Sequence, residues 1–139
     1  MANKADIGEL KTMLIVDDHP LLRQFMREFL QHAFPSCSFR EAADGAAALD
    51  ACNARLPQLV LMDICLPDAD GIELTARLGT LYPGIQVIVV SQKSGDAYVQ
   101  RALAAGVLAY VCKDHIVTEL VPAVAAAIGI PPAAVAGAS

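Results

Sequence analysis

The chain has 139 residues, 55% hydrophobic and 18% charged, with a formal net charge of -5 at pH 7. That length suits one domain burying roughly two-thirds of its unfolded surface. The acidic balance excludes a chain that itself grips nucleic acid, since that needs clustered Lys and Arg. No stretch reaches the roughly 20 apolar residues of a membrane span, and the leader MANKADIGELKT has no apolar core of a secretory signal. Four scattered cysteines (Cys37, Cys52, Cys65, Cys112) form no CxxC pair and no cysteine–histidine cluster, so they read as thiols of a cytoplasmic protein.

After a polar leader over 1–11, the run MLIV ends in Asp17 and Asp18. Pro20 suits the first position of a helix, with His19 at its start. Leu22, Phe25, Met26, Phe29, Leu30 and Ala33 follow at helical spacing, with Arg23, Gln24, Arg27 and Glu28 on the other side. Pro35 closes the helix. Cys37 and Phe39 alternate with Ser38 and Arg40, as in a strand with one more exposed face. Asp44-Gly45 is a turn, with Asp44 placed to cap a helix through Ala54.

Leu59, Val60, Leu61 and Met62 then run straight into Asp63, as in a strand buried on both faces. Pro67 and Gly71 break the line, and Ile72, Leu74, Leu78 and Leu81 suggest the next helix. Ile85 to Val90 is nearly all β-branched and ends in Ser91. A helix from about Asp96 to Ala105 is closed by Gly106. Val107 to Cys112 is the fifth strand, ending in Lys113. The last helix is expected from about Thr118, its N-cap, to Ile128, with Pro122 in or just past the first turn. GIPPAAVAGAS, over 129–139, reads as a linker or frayed end.

Five βα units in strict alternation predict a parallel sheet with helices on both faces. Four strands end on a polar residue, and a parallel sheet sends all of these ends to one edge. There Asp17, Asp18 and Asp63 repel one another unless a cation joins them, and Mg²⁺ suits a few carboxylates with water and phosphate oxygens. An aspartate can accept a phosphoryl group. Lys113 supplies a second positive charge, and the Ser91 hydroxyl a hydrogen bond.

IVDDHP, AADGAAAL, LVLMDICLPDADG, VIVVS and AAGVLAYVCK together resemble the receiver domain of two-component response regulators, over about residues 12–128. The resemblance implies a flavodoxin-like (βα)5 three-layer sandwich of strand order 2-1-3-4-5. It implies Asp63 as phosphoacceptor and Asp18 and Asp63 as Mg²⁺ ligands, with Asp17 acting through water and the Cys65 backbone carbonyl as a further ligand. Ser91, Lys113 and the aromatic Tyr110 take the hydroxyl, lysine and switching roles. DDHPLLR, YVCKD and IPPAAV resemble regulators that join a receiver to a LuxR-type helix-turn-helix, although Asp114 stands where the family more often has proline.

The implied function is a phosphorylation-driven switch that catalyses only its own phosphorylation and dephosphorylation. A sensor histidine kinase is the donor and control of transcription the output. A stand-alone receiver acting on another protein is the alternative. The partner surface is that of the fourth and fifth βα units, with a homodimer on phosphorylation; the first and last helices are another dimer face.

Two rival readings fit the residues less well. A haloacid-dehalogenase-like phosphatase usually carries an aspartate two past the nucleophile, where this chain has Cys65, and a cap domain for which there is no room. A degenerate receiver-like module lacks an acidic residue or the lysine, and this chain has all of them. Cys65 and Cys112 flank the site and are expected to be small buried residues. Gln92, Lys93 and Cys65 stand where dephosphorylation is tuned, so a phosphoryl lifetime unlike that of fast chemotaxis-type receivers is expected.

Overall fold

The structure, a computed structural model, describes residues 11–133. The leader and the last part of the 129–139 stretch lie outside the described residues. The elements alternate as expected: β1 (Thr12–Val16), α1 (Pro20–Ala33), β2 (Ser38–Ala42), α2 (Gly45–Ala54), β3 (Leu59–Met62), α3 (Gly71–Leu81), β4 (Val87–Ser91), α4 (Asp96–Ala104), β5 (Ala109–Cys112) and α5 (Ile116–Ile128). All pairings are parallel and the strand order is β2-β1-β3-β4-β5. Five parallel strands in this order, layered between helices, are the flavodoxin-like fold.

Side-chain alternation along the strands divides the interior into two cores. On one face Leu14, Val16, Val60, Met62, Val87 and Val89 pack with Ala48, Leu74, Leu78 and Ala102, from α2, α3 and α4. On the other, Met13, Ile15, Leu59, Leu61, Ile88 and Val90 pack with Met26 and Leu30 of α1 and Leu120 and Val124 of α5. Strands covered on both sides cannot alternate apolar with polar residues, which is why MLIV and LVLM are continuous apolar runs.

The helix ends follow their local chemistry. The Asp44 side chain accepts from the Ala47 N–H at 2.8 Å and begins α2. Gly106, at φ +101°, occupies the left-handed position just past α4. His19 is the N-cap of α1, its Nδ1 accepting from the Leu22 N–H at 3.2 Å. Arg40 crosses from β2 to the end of α2, where its guanidinium donates to the Ala51 carbonyl at 2.9 Å and also to that of Arg55. The Ala51 carbonyl also accepts from the Arg55 N–H at 3.1 Å, so the guanidinium reinforces the last turn of α2 and the residue that follows it.

Several expectations differ from the structure. β4 and β5 each begin two residues later than Ile85 and Val107. A 3₁₀ turn over Lys113–His115 leads directly into α5, so the helix starts at Ile116 and not at a Thr118 cap. Pro122 therefore lies in the second turn, inside the helix, where its missing N–H leaves the Thr118 carbonyl without its usual partner. On α1, Phe25 is 43% exposed and stacks on Phe29 with ring centroids 5.6 Å apart, while Arg23 leans inward. Beyond α5, Ile130 packs against the α1–α5 core, and the Ala133 N–H donates to the Ala33 carbonyl at 2.7 Å.

Candidate functional site

The parallel sheet delivers Asp17 and Asp18 from β1, Asp63 from β3, Ser91 from β4 and Lys113 from β5 to its carboxyl edge. Asp17, Asp18 and Asp63 each bring a carboxylate oxygen within 4.8 Å of the others. Lys113 reaches in between, its Nζ 2.8 Å from Asp17 Oδ2 and 3.1 Å from Asp63 Oδ2. Asp17 and Asp63 are buried, while Asp18 opens to solvent.

Burial pushes the Asp63 carboxyl above the usual carboxylate range, and the charge of Asp17 adds to this. The Lys113 ammonium and the Cys65 amide oppose it. Burial would lower the Lys113 ammonium, but its contacts with Asp17 and Asp63 outweigh that and hold it above its ordinary value. One ammonium stands against three carboxylates, which leaves two negative charges uncompensated. Asp17 Oδ2 is buried without a well-aligned hydrogen bond, its approach to Lys113 being an ion-pair contact only. A hard divalent cation with oxygen ligands fits both observations.

Backbone geometry holds the carboxylates in place. The Asp17 N–H donates to the Ala42 carbonyl at 3.0 Å, and the Asp63 N–H to that of Val16 at 3.0 Å. Asp17 Oδ1 accepts from the His19 N–H at 2.8 Å. Behind Asp63, the Gly71 N–H donates to the Ile64 carbonyl at 2.8 Å. A Cβ on Gly71 would stand 2.8 Å from the Asp63 carbonyl carbon and collide with its oxygen, so only glycine lets α3 begin this close to the site.

Ser91 and Tyr110 have other partners. Ser91 is buried, and its Oγ accepts from the Lys93 N–H at 3.2 Å. The half-buried Tyr110 donates its hydroxyl to the Lys93 carbonyl at 2.7 Å. Both therefore meet at one residue of the β4–α4 loop, not at the carboxylates. Cys65 is exposed and Cys112 half-buried, contrary to the expectation that both are buried. The chain at Cys65 turns outward, where it pairs across the loop with Asp70.

Three supporting residues were not anticipated from the sequence. Arg23 donates from Nη1 to the Asp17 carbonyl at 2.6 Å. Asp68 accepts from the Gly45 and Ala46 N–H groups at 2.7 and 3.0 Å, tying the β3–α3 loop to the start of α2. Asp70 caps α3 and pairs with Arg101 of α4 at 3.1 Å. Arg23 stood within the quoted DDHPLLR, but its place on the helix wheel pointed to solvent. Asp68 and Arg101 carried no signal, because their partners are remote in sequence.

An acidic cluster and a lysine at the carboxyl edge of a flavodoxin-like sheet place the chain among α/β proteins with their ligand site at the strand tips. The model of the response regulator receiver domain matches residues 13–125, and the chain belongs to that family. It is similar to the transcriptional activator protein ExaE of Pseudomonas putida, 37% identical over 101 residues that cover 73% of this chain and 47% of that protein. Among solved structures, a LuxR-family two-component response regulator from Aurantimonas sp. SI85-9A1 matches with 30% identity and a TM-score of 0.80, over 88% of this chain and 89% of that one. The signal receiver domain of NarL from Mycobacterium tuberculosis matches with 33% identity and a TM-score of 0.77, over 88% and 99%. The chain spans about half the length of the curated relatives it matches. No helix among the described residues is long and apolar enough to cross a membrane.

Proposed function

We propose that this domain is a phosphorylation-dependent switch in which Asp63 accepts a phosphoryl group from a sensor histidine kinase. The observation that carries this reading is the Lys113 ammonium lodged between Asp17 and Asp63, with Asp18 beside them. A carboxylate oxygen of Asp63 forms the new O–P bond as the N–P bond of the phosphohistidine breaks. Lys113 is placed to leave its carboxylate partner for a phosphoryl oxygen as charge moves outward. Asp18, Asp63 and the Cys65 carbonyl would hold Mg²⁺, with Asp17 acting through water. Bound there, the ion would neutralise charge on the equatorial oxygens of the transferring group.

Ser91 is the sensor of the phosphoryl group in this reading. To reach a phosphoryl oxygen the Ser91 side chain swings its Oγ away from the Lys93 N–H, and the β4–α4 loop and Tyr110 follow. The population of the two arrangements then decides the surface presented by the fourth and fifth βα units. That surface would be read by a second copy of the chain or by another protein. The likeness to ExaE and to LuxR-family regulators supports transcription as the output, through a DNA-binding domain beyond these residues. Cytoplasmic placement fits that task, and we assign residues 12–128 to the receiver and 129–139 to the linker.

Acetyl phosphate with Mg²⁺ tests the assignment. Asp63→Asn is expected to abolish acid-labile labelling, and stoichiometric labelling of that variant would end it. Beryllofluoride with Mg²⁺ should shift amide resonances over β4–α4–β5 in the wild type; no shift would mark an inert module.

A further inference from the structure

The β1–α1 turn holds Asp17 and Asp18 unequally. The Asp17 carboxylate is buried and anchored by the His19 N–H and by Lys113. The Asp18 carboxylate is exposed. Its direction therefore depends chiefly on the peptide that joins it to Asp17, because the Asp17 carbonyl and the Asp18 N–H lie in one plane. That carbonyl is the acceptor of the 2.6 Å bond from Arg23 Nη1. The guanidinium is itself fixed, since Arg23 Nε lies 2.8 Å from Glu41 Oε1 on β2 and Arg27 Nε reaches the other oxygen of Glu41 at 3.2 Å. The Arg23 side chain is only 17% exposed, so the brace works where water competes weakly. A planar fork that engages two acceptors at once is a task for arginine, not lysine.

We propose that Arg23 is a positioning residue of the acidic site: held by Glu41, it sets the Asp17–Asp18 peptide and so the aim of the Asp18 carboxylate at a divalent cation. This rests on the cation-binding reading of the three aspartates. It also predicts a sign that charge alone does not. Arg23 is a cation near an acidic cluster, so removing its charge should strengthen binding of a second cation by Coulomb's law. If Arg23 acts by positioning, removing it weakens that binding instead.

The test is a Mg²⁺ titration of the full chain followed by backbone amide shifts, with thermal melting in parallel. Arg23→Met keeps the packed methylenes and removes the fork. It is expected to weaken the Mg²⁺ dissociation constant about tenfold, the scale on which supporting partners tune metal sites. Arg23→Lys keeps the charge but serves one acceptor, and its constant should fall between the two. Glu41→Gln, which still accepts from Arg23, should stay near the wild type. Arg27→Ala removes a like charge on the same glutamate without touching Asp17, and should bind Mg²⁺ as tightly as wild type or more so. Wild-type binding with an unchanged or tighter constant in both Arg23 variants would overturn the inference alone. A wild type with no Mg²⁺-dependent shifts would overturn the cation site and this inference with it. If Arg23→Met does not melt cooperatively, Arg23→Lys against Arg27→Ala decides the same question.

Discussion

The hydroxyl of Tyr110 donates a 2.7 Å hydrogen bond to the backbone carbonyl of Lys93. The N–H of the same residue donates to Ser91 Oγ at 3.2 Å. Ser91 and Tyr110, on neighbouring strands, thus share one residue of the β4–α4 loop. In the proposed switch, a χ1 rotation that swings Ser91 Oγ toward a phosphoryl group would free the Lys93 N–H and loosen the loop that Tyr110 holds. Tyr110→Phe removes one end of this link and keeps the ring. It should lower stability by about 1 kcal/mol or less, because the bond is solvent-facing. Hydrogen exchange near Lys93 should speed up in the unphosphorylated protein. Unchanged exchange over 91–95 would show that the tyrosine does not restrain the loop.

Gly71→Ala should be among the most damaging single-methyl additions in the chain. The added Cβ runs into the Asp63–Ile64 peptide, at the Asp63 carbonyl oxygen and carbon and at Ile64 Cα. Backbone cannot swing away as a side chain can, so α3 must retreat from β3 and the Ile64–Gly71 hydrogen bond lengthens. Overpacking of this kind costs about 2–3 kcal/mol, measurable as a lower urea midpoint. Gly79→Ala is the control: a Cβ there meets nothing within 4 Å and should be neutral or slightly stabilising.

The strand tips were the legible part of the site. An apolar run ending in a carboxylate or lysine identifies both a doubly covered strand and the residue at its end, and a parallel sheet then gathers those ends without further information. What escaped were contacts made by reach. Arg23 belongs by periodicity to the polar side of α1, yet a long stem lets its head fold back over the Asp17 carbonyl. Phe25 belongs by the same periodicity to the apolar stripe, yet it lies at the stripe's margin and stacks on Phe29 in partial exposure. The start of α5 was misplaced because no side chain caps it, the 3₁₀ turn from Lys113 running straight into the helix. The exposure of Cys65 follows from how the loop turns after Asp63, which residue type does not encode.

Asp68 should act as a clamp between two loops. Its two oxygens take the N–H groups of Gly45 and Ala46, and those amides hold its carboxyl below the usual aspartate range. A lowered native value means that the contribution is present above the ordinary 3.8 and is lost as pH falls through the lowered one. Asp68→Asn retains one acceptor oxygen and loses the charge at a helix N-terminus. Its amide shifts should change at Gly45, Ala46 and the β3–α3 loop, with little change in β5. Shifts confined to residue 68 itself would mean that the clamp carries no strain between the loops.

The buried ion cluster should contribute a pH response of its own in the metal-free protein. Burial raises the Asp63 carboxyl above 3.8, so between that value and the raised one the folded chain binds more protons than the unfolded chain. The Asp63 contribution to stability therefore falls as pH rises through this window and is then level. Lys113 works in the other direction on the alkaline side: with its native value raised above 10.5, its stabilisation is full below 10.5 and is lost as pH rises through the raised value. Lys113→Met leaves Asp17 and Asp63 facing each other unpaired. Removing one partner of a buried pair costs about 3–5 kcal/mol, and the loss should be largest at neutral pH. It should shrink as pH falls through the raised Asp63 value, where the carboxyl protonates and the repulsion ends. Asp63→Asn should do the opposite, gaining stability over the wild type at neutral pH and flattening the acid-side slope. Urea unfolding with a chelator present, followed by circular dichroism across that range, reads all three proteins. A Lys113→Met deficit that is the same at every pH would mean that packing of the lysine stem, not its charge, holds the strand tips together.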